Sequence, residues 1–432
     1  MKTDYELIRE YLEAHLPQVL KQPYGNFKHP FIDPGSVYDG NLWDWDTFWA
    51  VFSMINLAEN GAVDTAFKKT LERHAEGNIL NFLDFQLEDG YIPMMVDTKA
   101  DEVPYLIAKH REGAVLNMHK PFLCQQACLV SGLKGSFGWI EDQVPKLEQY
   151  FGCYDRYYYF ENCGLYVWAD DVMIGMDNDP ASFGRPRFST ANIFLNSFMV
   201  RELRAMAKIL TAYGLPGRSE YYESKALKLA EAIQTECWDK RDKFFYSVDV
   251  DIKTRAYDWF HKGLGVFWNT LYIKTRAWSS FLPLLAGIAT DEQAAFLVKH
   301  ITDPETFWSP SGIRSLSFDE KMYNLAPTNN PSNWLGGIWI IVQYAVFRGL
   351  MNYGYREEAS ALCGNVMKLL GDDLRKTGTL HEYYNPETGE PIVNGDFINW
   401  NILALNMADE LAGKPSVDRY LPFDKLVAER PV

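Results

Sequence analysis

Apolar residues recur at helical spacing over most of the chain. Eleven segments carry apolar side chains three or four positions apart, which places them on one face of a helix. These segments are 5–21, 45–59, 64–87, 117–134, 190–213, 218–238, 273–288, 290–302, 335–352, 355–371 and 396–412. The connections 23–41, 175–188, 303–334 and 383–395 are rich in Pro, Gly and Asn and are predicted to be loops. The pattern therefore predicts an all-α protein.

The same pattern bears on domain organisation. Strand patterns do not alternate with helical ones, and neither GxGxxG nor a Walker motif occurs, so a doubly wound nucleotide-binding fold is disfavoured. No low-complexity linker divides the 432 residues. About twelve helices, each with its loop, would take roughly 36 residues apiece, which suits ordinary helix lengths. We expect a single domain over residues 1–432, and this arithmetic permits a ring of helix pairs.

Composition and charge narrow the function. The formal charge of -15 and the pI near 5.1 argue against nucleic acid as a partner, because phosphate binding requires clustered Lys and Arg. Six cysteines follow no CxxC pattern, which favours reduced thiols. The segment 1–6 lacks the basic start and apolar run of a signal peptide, and no stretch is long enough to span a bilayer. We expect a cytoplasmic protein without a membrane partner.

Three segments place carboxylates among aromatic rings. Glu382 lies between His381 and two tyrosines, and Asp46 follows Trp43 and Trp45. The third segment, Trp168-Ala169-Asp170-Asp171, runs on to Asp177 in a Gly- and Pro-bounded loop. Each acid also has an ordinary explanation: a helix N-cap for Asp46, a turn for Asp177, and a solvated loop for Glu382. Aromatic rings stack on sugar faces and carboxylates bind sugar hydroxyls, so the three segments also suit a carbohydrate site.

Two carboxyl groups suffice to break a glycosidic bond. One protonates the leaving oxygen and the other activates water or attacks, and a separation of roughly 6.5–9.5 Å gives inversion. The eight histidines are scattered and form no HExxH motif, so we expect neither a catalytic metal nor a cofactor. Sugar epimerisation by a pair of histidines and sugar binding without turnover are the alternatives.

Longer runs resemble a known family. The segments 308–317, 333–339, 381–391 and 397–400 resemble the C-terminal half of glycoside hydrolase family 63 in order and spacing. Trp43–Trp49 resembles that family's first signature, and Gly175-Met176-Asp177 resembles the stretch that carries its general acid. The size of the chain is similar to that of the compact members, the mannosylglycerate and glucosylglycerate hydrolases.

This resemblance implies an (α/α)6 barrel with its active site at one end. It implies inverting hydrolysis of an α-linked glucose or mannose on a small carbohydrate substrate, without a metal in the chemistry. Carried over by position, Asp177 is the general acid and Glu382 the general base. The resemblance assigns the pocket wall to the following side chains: Trp43, Trp45, Asp46, Trp334, Trp339 and His381.

One position departs from the compact members. They commonly have Gln-Pro-Pro where this chain has Lys120-Pro121-Phe122, so a cation stands where an amide is expected. Lys120 is therefore a candidate to bind a carboxylate or phosphate on the leaving group. A salt bridge to a neighbouring acid is the other interpretation.

Overall fold

The computed structural model describes residues 2–61, 65–99, 103–252, 268–326 and 332–427, and these residues are mainly helical. We number their helices in chain order. They are α1 Asp4–Val19, α2 Asp44–Asn60, α3 Thr65–Asp84, α4 Tyr105–Arg111, α5 Leu123–Lys134, α6 Val144–Tyr157, α7 Ile193–Ala212, α8 Pro216–Glu236, α9 Leu282–Leu285, α10 Asp291–Thr302, α11 Ile340–Asn352, α12 Arg356–Thr377 and α13 Leu403–Leu411.

Six largely buried helices of the described ranges form a closed inner ring. In order around the ring, α2, α5, α7, α9, α11 and α13 each contact the next, and α13 returns to contact α2. Helix α2 shows why: every residue from Asp44 to Leu57 is buried, as expected of a helix with neighbours on all sides. Together with the outer helices, this ring confirms the predicted (α/α)6 barrel.

The outer helices are amphipathic. Helix α12 buries Ala359, Leu362, Val366 and Leu370, three or four positions apart, and most of its charged residues, Asp373 excepted, face outward. Helix α1 packs on α12 and α13, and its first turn is stabilised by a capping box in which Thr3 accepts a hydrogen bond from the backbone of residue 6. Hydrophobic burial against the inner ring therefore holds the outer layer.

Very short strands, fifteen of them in the described part of the chain, connect the helices. They are β1 Leu20–Lys21, β2 Phe31–Ile32, β3 Asn41–Trp43, β4 Met95–Asp97, β5 Tyr159–Phe160, β6 Leu165–Tyr166, β7 Thr190–Ala191, β8 Trp238–Asp239, β9 Phe244–Phe245, β10 Val248–Asp249, β11 Leu271–Tyr272, β12 Trp308–Ser309, β13 Gly312–Ile313, β14 Tyr383–Tyr384 and β15 Pro391–Val393. All pair antiparallel, as β1–β2, β3–β4, β5–β6, β8–β9, β12–β13 and β14–β15, with β10 between β7 and β11.

The structure corrects several predicted element boundaries. The segment 273–288 was predicted as one helix, but it contains only a 3₁₀ turn and the four-residue α9. The helices predicted from 335 and 396 begin later, at Ile340 and Leu403. Extended backbone at Trp339 precedes the first, and a 3₁₀ turn over Trp400–Ile402 precedes the second. Helices α4 and α6 were missed. Two or three residues suffice for each hairpin strand, and so short a strand leaves no period in the sequence.

The described residues also bear on the cysteines and on membrane spans. All six cysteines are buried free thiols. None of the helices within the described ranges is long and apolar enough to cross a bilayer.

Candidate active site

A cavity of about 420 Å³ opens at one end of the inner ring. Its wall is formed by Tyr38, Trp43, Trp45, Asp46, Gly175, Asp177, Ser332, Trp334, Trp339, Glu382 and Trp400. Trp43 directly precedes α2, Trp339 directly precedes α11, and Trp400 lies three residues before α13. The cavity therefore faces the N-terminal ends of inner helices, where partial positive charge favours carboxylates.

Stacked rings form much of the cavity wall. Trp334 lies on Trp339 with ring centroids 4.0 Å apart, and Trp339 lies on Tyr383 at 4.4 Å. Trp45 contacts Trp334 at 5.6 Å and Trp400 at 5.9 Å. Each ring is fixed by its neighbours, so the wall is preorganised for the apolar face of a sugar.

Glu382 lies at this wall, almost completely buried. The β14–β15 hairpin positions it, since its backbone N–H donates to the Val393 carbonyl at 3.3 Å. The Tyr38 hydroxyl lies 3.1 Å from Oε1 and 3.3 Å from Oε2, and the Asn394 amide donates to Oε2. Burial raises the pKa of Glu382 to about 7 against the lowering effect of these donors, and the charge of Asp177 raises it further.

Asp177 lies across the same cavity in a turn between α6 and α7. Gly175 has a φ of +86°, and a Cβ there would lie 2.9 Å from the Trp45 ring, so this position requires glycine. Asn178 accepts a hydrogen bond from the Trp334 backbone N–H at 2.7 Å. The turn is thus held against two of the cavity's aromatic residues. Asp177 therefore lies in a turn, as one of its two interpretations expected, and it also lines the cavity.

Asp46 is the third carboxyl at the cavity. It is not the helix N-cap, because α2 begins two residues earlier and Trp43 occupies that position. Its Oδ1 accepts a hydrogen bond from the Asn399 amide at 2.8 Å. Burial, with the charge of Asp44, raises its pKa to about 8, against the lowering influence of the Lys120 ammonium.

Seven of the nine predicted site residues line the cavity, and Lys120 and His381 do not. The Lys120 side chain is completely buried, and its Nζ lies 2.7 Å from Asp44 Oδ1. The backbone N–H of Lys120 donates to the other oxygen of the same carboxylate at 2.7 Å. A buried ammonium is stable only when paired, which explains this arrangement. The structure therefore places Lys120 in the salt bridge that the second interpretation expected, and outside the cavity wall.

His381 points away from the cavity, towards the outer layer. Its Nδ1 lies 2.9 Å from Asp373 Oδ2 on α12, and its backbone N–H donates to the Tyr384 hydroxyl at 2.9 Å. Side chains on alternate positions of an extended segment face opposite ways, so the neighbour of an inward-facing Glu382 faces outward. The structure therefore places His381 outside the cavity wall, where the prediction had put it at the substrate.

Sequence reasoning missed four residues of the site: Tyr38, Ser332, Asn394 and Trp400. Trp400 belongs to the family-like run 397–400, which was a usable signal. Tyr38 lies in a loop whose contact with Glu382 spans 344 positions, and local sequence gives no signal for such a contact. Within the described ranges, no group of three or more His, Cys, Asp or Glu is placed to hold a metal ion.

The chain is similar to several known proteins. A probable mannosyl-oligosaccharide glucosidase of Schizosaccharomyces pombe is 25% identical over 248 residues, 55% of this chain and 28% of that protein. The mannosylglycerate hydrolase of Rubrobacter radiotolerans is 23% identical over 203 residues, 47% of this chain and 40% of that protein. The matched stretches thus span less than half of either curated relative.

Structural and family comparisons extend over most of the chain. The crystal structure of the family 63 mannosylglycerate hydrolase of Thermus thermophilus in complex with glucose has a TM-score of 0.66 at 18% identity, covering 91% of this chain and 98% of that one. That likeness shows a shared fold. The profile of the mannosylglycerate hydrolase MGH1-like glycoside hydrolase domain matches residues 41–400. The chain therefore belongs to the MGH1-like glycoside hydrolase family.

Proposed function

We propose that this protein is an inverting α-glycosidase that releases glucose or mannose from a short substrate such as a glycosylglycerate or a disaccharide. The observation that carries the proposal is the pairing of Asp177 and Glu382 at one ring-walled cavity. The two carboxyls influence each other electrostatically, because the charge of Asp177 raises the pKa of Glu382. Family membership supports glycoside hydrolysis, and the relatives named for mannosylglycerate support the choice of sugar and size.

In the proposed mechanism the two carboxyls act on opposite sides of the anomeric carbon. Asp177 gives its proton to the glycosidic oxygen as the bond from the anomeric carbon to that oxygen breaks. Glu382 takes a proton from water as the water oxygen bonds to the anomeric carbon from the other face. The products are an alcohol and a sugar of inverted configuration, with the proton on Glu382 and the charge on Asp177.

The other cavity residues bind the departing sugar. Asp46 is the carboxyl placed to accept hydrogen bonds from sugar hydroxyls, since Asn399 already fixes one of its oxygens. The rings of Trp45, Trp334 and Trp400 cover the apolar ring face. The titratable groups of the described wall are carboxyls and one tyrosine, so a histidine-based epimerase finds no acid–base pair there.

The wild-type protein is first screened for hydrolysis of α-glucosides and α-mannosides with neutral and acidic leaving groups. Turnover of the best substrate is then measured in Glu382→Gln and Asp177→Asn. General acid–base groups contribute about 10²- to 10⁴-fold, so each variant should lose at least that much kcat while staying folded by circular dichroism. Glu390→Gln is the matched control, because this exposed glutamate lies in the same hairpin and its side chain pairs with Lys376 at the surface. Wild-type turnover in either site variant would contradict the proposal.

Stereochemistry provides the second arm. Proton NMR early in the reaction should show the released sugar in the β configuration from an α-linked substrate. An α product would exclude a water-activating Glu382 and would indicate a covalent intermediate. Sugar binding by calorimetry without any turnover would indicate a binding protein instead.

A further inference from the structure

Asn394 adopts a backbone conformation that L-residues rarely use. Its φ is +49°, in the left-handed region, and it directly follows strand β15. Asn enters this region more readily than most residues, but such a conformation persists only where surrounding contacts hold it. Strain of this kind concentrates at functional sites, so the contacts of its side chain are informative.

The Asn394 amide holds one oxygen of Glu382. Its Nδ2 donates to Oε2, which also lies 3.3 Å from the Tyr38 hydroxyl, whereas Oε1 has that hydroxyl alone, at 3.1 Å, among the described contacts. The two carboxylate oxygens are thus unequal. Oε1 retains more acceptor capacity for a proton from water.

The loop that carries Asn394 docks on the loop that carries Tyr38. The Ser36 hydroxyl donates to the Gly395 carbonyl at 2.8 Å, which joins the two loops directly. Asp33 closes the Tyr38 loop by accepting the backbone N–H groups of Gly35 at 3.1 Å and Gly40 at 2.9 Å. The two donors to Glu382 therefore belong to one docked pair of loops.

We propose that Asn394 is a positioning residue for hydrolysis: its amide fixes Oε2 of Glu382 and so directs Oε1 towards the attacking water. The inference rests on the proposed role of Glu382 as general base. An amide suits this task because it remains a donor throughout the accessible pH range and carries no charge to neutralise the base.

The groups around Glu382 give this contact an electrostatic consequence. Burial and the charge of Asp177 raise the pKa of Glu382, while the Asn394 amide and the Tyr38 hydroxyl lower it. Asp46 and Tyr383 also face the carboxylate and couple to its charge. Loss of the amide should therefore raise the pKa of Glu382 further. A base must be ionised, so the acid limb of the kcat profile should move to higher pH.

Two variants test the inference. Asn394→Gly accepts the positive φ without strain and removes the amide, and Asn394→Asp keeps the shape but places a like charge beside the base. Hydrogen bonds to charged groups are lost at a cost that corresponds to about 10- to 100-fold. We expect kcat to fall by that factor with KM within about twofold, and the acid limb to move up in both variants, further in Asn394→Asp.

Asp396→Asn is the matched control. Asp396 lies in the same loop, also has a positive φ of +59°, is exposed, and bonds through its side chain to Thr379. The control should keep the wild-type kcat and pH profile. A wild-type kcat and profile in Asn394→Gly would overturn the inference.

A turnover-independent reading separates this inference from the proposed function. In protein with ¹³C-labelled glutamate carboxyls, the signal that disappears in Glu382→Gln reports the pKa of Glu382. That pKa should rise in Asn394→Gly; an unchanged pKa, or a raised pKa with wild-type kcat, overturns the inference alone. Turnover retained in Glu382→Gln overturns the proposed function and this inference together.

Discussion

Two buried carboxylates at the same end of the barrel, Asp44 and Glu382, have opposite electrostatic environments. Asp44 is completely buried and is neutralised by the Lys120 ammonium, with the Trp45 backbone N–H as a further donor at 2.6 Å. Glu382 is 3% exposed and its donors are a phenol and an amide, neither of which carries charge. One negative charge is cancelled, and the other is left uncancelled beside the cavity.

The presence or absence of a counter-ion gives the two carboxylates different consequences for stability and reactivity. A buried charge with a counter-ion contributes to the fold, because removing either partner leaves an unpaired charge in a poorly solvated site. A buried carboxylate without a counter-ion costs stability, but its raised pKa makes it a stronger base once ionised. The Asp44 and Lys120 pair thus holds the first turn of α2, whereas Glu382 has the environment expected of the proposed general base.

The largest predicted effect on stability comes from breaking the ion pair between Asp44 and Lys120. Lys120→Met removes the counter-ion and leaves Asp44 buried and unpaired, so we expect a loss of about 3–5 kcal/mol in the free energy of unfolding. Urea denaturation followed by circular dichroism measures it. The double variant Asp44→Asn with Lys120→Met should recover most of the loss, because no isolated charge remains. A loss below about 1 kcal/mol, within the range of exposed pairs, would mean that the pair is hydrated.

The second prediction concerns Glu382, whose substitution should increase the free energy of unfolding at high pH rather than decrease it. The folded-state pKa of Glu382 is raised to about 7 from an ordinary value of 4.5, so folding favours the protonated form. Wild-type stability should therefore fall as pH rises from about 4.5 to about 7, by roughly 3 kcal/mol at 1.36 kcal/mol per pKa unit. Glu382→Gln removes that cost, so it should be the more stable protein at pH 8 and should lose its advantage at pH 4.5.

Thermal unfolding of both proteins at the two pH values checks this prediction. Glu390→Gln, at an exposed site on the same hairpin, should follow wild type at each pH. If Glu382→Gln has the same advantage at pH 4.5 as at pH 8, the gain does not come from the charge.

The sequence predicted the fold well because the barrel repeats one local pattern. Buried stripes at helical spacing are long enough to be read in most of its helices, and the inner helix α2 is buried from Asp44 to Leu57. The two-residue strands and the short helix α9 carry no readable period, and for that reason 273–288 was assigned wrongly.

The site was predicted in part for a similar physical reason. Asp177, Glu382 and the tryptophans lie in runs whose composition departs from ordinary core or loop. His381 lies inside such a run, and only the direction of its side chain distinguishes it from the residues of the cavity wall. Lys120 lies outside those runs, and its burial against Asp44 could not be read from the sequence. Tyr38 contacts Glu382 across 344 positions and Asn394 contacts it across 12, and composition records neither contact. The cytoplasmic location and the single domain stay predictions.

A third prediction concerns the network behind Glu382. The Asp373 carboxylate is buried and accepts from Tyr384 at 2.9 Å and Thr377 at 3.0 Å, with His381 Nδ1 at 2.9 Å. Asp373→Asn replaces one accepting carboxylate oxygen by an N–H donor, which would face the donors that now bind that oxygen. We therefore expect the free energy of unfolding to fall by about 2 kcal/mol. Because the network fixes the hairpin that carries the base, kcat should fall as well. Urea denaturation and steady-state kinetics measure the two effects.

Asp372, the neighbour of Asp373 on α12, should show the smallest predicted effect on stability. Asp372 pairs with Lys368 and Arg375, but all three side chains are 41–74% exposed. Solvent screens such pairs, so Asp372→Asn should change the free energy of unfolding by less than about 1 kcal/mol, and by still less at high salt. The loss of stability on substitution by Asn would then be at least twofold larger at Asp373 than at its neighbour Asp372. An equal cost at the two positions would show that the helix, and not burial of the carboxylate, sets the penalty, and the contrast between Asp44 and Glu382 would lose its physical basis.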